Sequence, residues 1–93
     1  MNNTTCNCSD NTTIGRIIDI DRNSRHFTTI SDGNRSSIIR FNVPEEARIF
    51  DIFGRRMNFS RLTPGMRVQV QHAAFMTLSI PPQTTAFVVR VIR

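Results

Sequence analysis

The sequence predicts an all-β domain: a small antiparallel barrel or sandwich of six to seven strands, preceded by an extended N-terminal arm. Three observations predict it. From Ile14 onward apolar residues recur with a period of two, the repeat of strands whose side chains alternate between faces. Turn residues break this pattern about every eight to twelve positions, the spacing of short strands in sandwiches and barrels. No window sustains the i, i+3, i+4, i+7 spacing of an amphipathic helix. Closure into a barrel is favoured because it hides the strand edges that would otherwise pair with other chains.

The first strand is Ile14 to Asp21, where Gly15 allows a neighbouring strand to approach closely. Arg-Asn-Ser-Arg turns the chain into a second strand, His26 to Ser31. Asp32-Gly33-Asn34 is a hairpin signal, because glycine accepts positive φ. In the third strand Ile39, Phe41 and Val43 share a face, and Pro44, which has no N–H to donate, stops it. Arg48 to Phe53 reads as a fourth strand and Arg56 to Phe59 as a short fifth. Ser60 is a candidate N-cap for one helical turn ended by Pro64-Gly65. From Met66 the alternation sets Val68, Val70, His72 and Ala74 on one face against Arg67, Gln69, Gln71 and Ala73. Met76 to Thr85 reads as a loop stiffened by Pro81 and Pro82. The last strand sets Phe87, Val89 and Val91 opposite Val88, Arg90 and Ile92.

Residues 1–13 form the arm and residues 14–93 the barrel domain. The arm is polar except for Met1, Cys6 and Cys8, and it holds both cysteines of the chain. As metal ligands they are two of a needed four. A bond between them would close a small, strained ring. Nothing basic or helical beside them lowers a thiol pKa for redox work. Pairing with cysteines of other chains remains, so the two are assigned to intermolecular disulfides. Such bonds persist in oxidising surroundings, which points to an extracellular, cell-surface or spore-surface setting, with the cytoplasm as the alternative. No basic-then-apolar signal peptide precedes the arm, and no apolar stretch is long enough to span a bilayer.

All 12 basic residues are arginine, and the net charge is +5. That balance suits a polyanionic partner and equally suits arginine at protein interfaces. The carboxylates form no spaced acid–base pair, and no nucleophile elbow, phosphate-binding glycine loop or metal motif is present. The chain is therefore read as no enzyme, with no cofactor and no metal. His72, on an apolar face, is expected as a hydrogen-bonded core or interface histidine, and His26 as a solvated one.

Two runs carry a resemblance. Gly15, Ile17, Ile20 and Asp21, followed by Leu62, Pro64, Gly65, Val68 and Val70, resemble the motifs of a small bacterial OB-like β-barrel domain of unknown function. The resemblance implies a barrel core and no activity. The arm with Cys6 and Cys8 is similar to those of bacterial endospore appendage subunits, in which arm cysteines bridge subunits of a fibre. Here the core lacks cysteine, so arm-to-arm bonds would be required.

Several strands carry apolar residues on both faces: Ile17 and Ile18, Ile38 and Ile39, and most of the last strand. A half-exposed strand alternates instead, and a chain of this length has little left for a second covering layer. The surplus reads as a surface between subunits, assigned to Phe87, Val89, Val91, Ile38, Pro81 and Pro82. The expected function is a structural subunit that assembles with copies of itself into a surface fibre or multimer, locked through the arm, with no membrane involved. An arm docking on a different surface favours a repeating assembly. The alternative is an OB-like barrel that binds single-stranded nucleic acid or another polyanion through Arg55, Arg56, Arg61 and Phe59.

Overall fold

In the computed structural model six strands follow one another: β1 (Asn11–Asp21), β2 (His26–Ser31), β3 (Asn34–Asn42), β4 (Arg48–Phe50), β5 (Arg67–His72) and β6 (Gln83–Ile92). The structure describes residues 11–31 and 34–93, with 34–36 by their backbone. The expected Asp32-Gly33 hairpin tip lies outside those residues. The sheet runs β3-β2-β1-β5-β6-β4, and a further pairing of β3 with β6 closes it. Five strands thus make a barrel, and β4 pairs with the same edge of β6 further along the strand, setting Ile49 in the core. All pairs are antiparallel except those at the seam, where β6 runs parallel to β3 and to β4.

The two motifs read from the sequence meet in space. A Cβ added at Gly15 would lie 2.7 Å from the carbonyl oxygen of Ile30 on β2, so glycine is required where β1 crosses its neighbour. The Pro64-Gly65 turn, with Gly65 at φ +97°, donates from Gly65 N to the Ile17 carbonyl at 2.7 Å, and Ile17 N donates to the Met66 carbonyl at 2.8 Å. Leu62, just before that turn, is completely buried.

The core is filled by Ile17, Phe27, Ile39, Phe41, Val43, Leu62, Val68, Val70 and Val89 among others. An aromatic column runs through it. Phe59 lies 6.5 Å from Phe27, Phe27 5.6 Å from Phe41, and Phe41 5.3 Å from His72. His72 is the buried, hydrogen-bonded histidine that was expected. Its Nδ1 donates to the Ala73 carbonyl and its Nε2 accepts from the Thr13 hydroxyl, both at 2.8 Å. His26 is half-buried rather than solvated, with Nε2 3.7 Å from Asp21 Oδ2.

Other expectations change. β1 begins at Asn11, so three residues assigned to the arm pair with β5. The fourth strand stops at Phe50, because the Asp51 carboxylate gathers the amides of Phe53 and Arg55 (both 2.9 Å) and reverses the chain. The fifth short strand reduces to a single bridge between Arg56 and Phe50. The helical turn is a 3-10 turn, Phe59–Arg61, preceded by Asn58 with no side-chain cap. β5 ends at His72, and past it Ala73 is inside and Ala74 outside, reversing the expected alternation. On β6 the register shift leaves Phe87 as an extra residue between Ala86 and Val88, so Phe87 and Val89 do not share a face.

The β1–β2 turn is held by side chains. Asp21 Oδ1 accepts from the amides of Asn23 (3.0 Å) and Ser24 (3.2 Å). The Ser24 amide, then that of Asn23 and the nearby His26, hold the Asp21 carboxyl below its ordinary range. A depressed carboxyl stabilises the fold above its unfolded pKa, and that contribution is lost as pH falls through the folded value. We therefore expect Asp21→Asn to be slightly less stable than the parent at neutral pH. The difference should vanish under acid below the ordinary carboxylate range, as read from paired thermal melts.

Candidate functional site: an arginine groove and an apolar loop at opposite ends

Strand polarity divides the barrel into two ends. At one end lie the start of β1, where Asn11 pairs with His72, and the β5–β6 loop. At the other lie the β1–β2 turn, the 3-10 turn and the end of β6.

The loop is built by hydrogen bonds. Thr77 N donates to the Gln83 carbonyl at 2.9 Å, and Gln83 N donates back to the Thr77 hydroxyl at 3.1 Å. Thr77 and Ser79 hydroxyls meet at 2.7 Å, and Ser79 donates to the Pro81 carbonyl at 2.9 Å. The Thr84 hydroxyl reaches the Ala73 and Phe75 carbonyls. This frame holds Leu78 and Ile80 fully exposed, with Phe75 beside them 78% exposed. Residues 73–83 carry no charge. Two aliphatic side chains raised on an internally bonded loop sacrifice about 1.5–3 kcal/mol each of burial energy.

A second apolar surface lies on the outer wall of β1, β2 and β3. Ile30 pairs with Arg16 on one side and Ile38 on the other, and Ile14 and Ile18 flank Arg16 along β1. Ile14, Ile18 and Ile38 are each more than a third exposed.

At the opposite end Asp51, Ile52, Arg55, Arg56, Met57, Asn58, Arg61, Met66 and Val91 line an open groove of about 570 Å³. Beyond the hairpin tip Ile52–Gly54 a second groove is lined by Phe53, Arg90 and Arg93. Among the described residues no side-chain partner holds the guanidinium groups of Arg55 and Arg61. Arg56 and Arg90 lie over the Phe50 ring, at 5.9 Å and 4.9 Å. Arg22 and Arg25 differ: they are staples. Arg22 donates to the Leu62 and Ser60 carbonyls. Arg25 donates to those of Val43 and Pro44 and rests 5.1 Å over Phe59.

The structure sorts the sequence's candidates. Arg55, Arg56 and Arg61 do come together. Phe59, chosen with them, is buried in the core; the exposed ring at that end is Phe53, 76% exposed. Val89, chosen as interface, has no exposed surface, and Val91 is half-buried against the core. Phe87 and Ile38 are 44% and 37% exposed. Pro81 and Pro82 are half-buried, and the Pro82 carbonyl accepts from Arg40 N at 2.9 Å within the chain. Cys6 and Cys8 lie outside the described residues. Of this loop, weighed as a rigid connection or a stretch that docks on a neighbouring subunit, the sequence reading named only Pro81 and Pro82; the exposed aliphatic residues Leu78 and Ile80 were not singled out, although an uncharged loop carrying them was the available signal.

No protein family and no curated protein matches the chain. Two solved structures share its fold, both of residues 10–88 of CusF from Escherichia coli. The Cu(II) form of a tryptophan-to-alanine variant superposes with a TM-score of 0.63 at 13% identity, covering 97% of this chain and 100% of that one. The Ag(I) form gives 0.59 at 13%, covering 91% and 96%. At this identity the likeness is one of fold, and it establishes the small OB-like barrel. The copper and silver are those of CusF, and a shared fold does not by itself carry a metal to this chain. Among the described residues no group of three or more His, Cys, Asp or Glu side chains could hold an ion, and both ring nitrogens of His72 are engaged.

Proposed function

We propose that this chain is a structural subunit that assembles head to tail with its own copies. The observation that supports this is the rigid loop presenting Leu78 and Ile80 to solvent at the end of the barrel where the arm joins β1. The receiving surface is the isoleucine wall of β1–β2–β3 on the next copy. Knob and wall are different surfaces, so the contact is heterologous and repeats into a ring or filament.

Energetics explain the arm. Burying Leu78 and Ile80 contributes roughly 3–6 kcal/mol, while association costs about 4–15 kcal/mol. The apolar contact alone is transient. Cys8 is three residues from Asn11, so it lies within about 10 Å of it along even an extended chain, and Cys6 is two residues further. Once the contact forms, thiols of neighbouring copies share a small volume and react at high effective concentration. This is the arrangement that the likeness to endospore appendage arms suggested, with arm-to-arm bonds in place of arm-to-core ones, and it suits an oxidising surface.

The test uses three variants, with size measured by light scattering and covalent state by non-reducing gels. The parent should form ladders in air that reductant collapses. Cys6→Ser/Cys8→Ser should still associate weakly but show no ladder. Leu78→Asp/Ile80→Asp and Ile30→Asp/Ile38→Asp, each alone in reductant, should be monomeric. Mixed together they should give one-to-one pairs and nothing larger, because each retains one half of the contact. A parent that stays monomeric in air with two free thiols removes the proposal.

A further inference from the structure

The arginine groove lies at the end opposite the assembly loop, and the proposed contact leaves it unused. We infer that it binds single-stranded nucleic acid, with phosphates on Arg55, Arg56 and Arg61 and a base stacked on Phe53. Four observations carry this. Three arginines line one open groove in which Asp51 is the sole carboxylate. One oxygen of that carboxylate, Oδ1, accepts from two backbone amides of its own turn. Arg55 and Arg61 have no partner among the described residues, so their charge is available without breaking a bond. Phe53 stands exposed on the wall of the adjoining second groove, which shares Asp51 and Ile52 with the first, and supplies the stacking platform that such binding uses beside cations.

The site differs in place from the wall by which OB barrels usually take oligonucleotides, the face of their second and third strands. Here the described outer positions of β2 and β3 include His26, Thr28, Ile30, Ile38 and Arg40, with no phenylalanine among them. The cations and the free ring come instead from the segment between β3 and β5. Its hairpin, closed by Asp51 N to the Arg55 carbonyl at 2.8 Å and Met57 N to the Ile49 carbonyl at 2.9 Å, fixes their spacing.

The experiment is fluorescence anisotropy of a labelled fifteen-nucleotide thymidine strand titrated with the full chain in reductant. Binding should saturate. With three phosphates neutralised at a slope of about −0.7 each, affinity should fall about 20-fold between 50 and 200 mM salt. Arg55→Ala/Arg61→Ala should reduce the slope to about a third. Phe53→Ala should weaken binding about tenfold with the slope unchanged. All these side chains are exposed, so circular dichroism melts should match the parent. No saturable binding at 50 mM salt overturns the inference, as does binding indifferent to the arginine pair. Equal displacement by inorganic polyphosphate and by unlabelled strand, with no effect of Phe53→Ala, overturns it in favour of a charge-only anion site.

Discussion

Gly15→Ala is expected to lower stability by about 3 kcal/mol, the upper end of what overpacking costs. The added carbon would stand 2.7 Å from the Ile30 carbonyl oxygen, 3.2 Å from its carbon and 3.3 Å from Thr29 Cβ. The first two are backbone atoms of the β1–β2 ladder and cannot rotate away. Relief requires the two strands to part, which loosens the Gly15–Ser31 and Arg16–Ile30 pairs. A domain of this size holds only about 5–10 kcal/mol in total, so one methyl consumes a large share. In urea the midpoint should drop by about 2 M with the slope unchanged. A midpoint within about 0.3 M of the parent would show that β1 and β2 have room the geometry denies them.

Phe41→Ala is expected to cost about 3–5 kcal/mol. Phe41 has no exposed surface and sits in the middle of the aromatic column, touching Phe27 on one side and His72 on the other. Truncation leaves a void that neither neighbour can fill. Phe27 is pinned by Phe59, and His72 is fixed by its bonds to Thr13 and Ala73. Phe41→Leu keeps most of the volume and should recover more than half of the loss. Equal losses for the two variants would mean that ring contacts, and not cavity volume, set the cost.

Much of this fold could be read from the residues because the barrel obeys simple alternation wherever its strands are regular. Ile39, Phe41 and Val43 share the inner face as their spacing requires, and Gly15 and Gly65 mark the crossing and the turn. Reading failed where a bulge or a side-chain bond breaks the period. The extra residue between Ala86 and Val88, both paired with β5, inverts the face of Phe87 relative to Val89. Asp51 ends β4 early through hydrogen bonds that local pattern does not reveal. Phe59 looked exposed beside its arginines, yet Arg25, far earlier in the chain in the β1–β2 turn and beyond the reach of local pattern, covers it. At the site, sequence proximity correctly grouped Arg55, Arg56 and Arg61, because one short hairpin and its following turn carry all three. It could not separate them from Arg22 and Arg25, whose partners are carbonyls brought near only by folding.

The seam has a bearing on how the chain reaches this state. Arg40 meets Gln83 and Arg48 meets Val88, both across long connections and both on the same strand. Looping that much chain is entropically slow compared with zipping the β1–β2–β3 meander. Ring closure is therefore a late kinetic event. Before it, the outer edge of β3 stands open with its amides and carbonyls unmatched, and a nascent molecule passes through its greatest hazard of annealing to a stranger before its own final strand arrives.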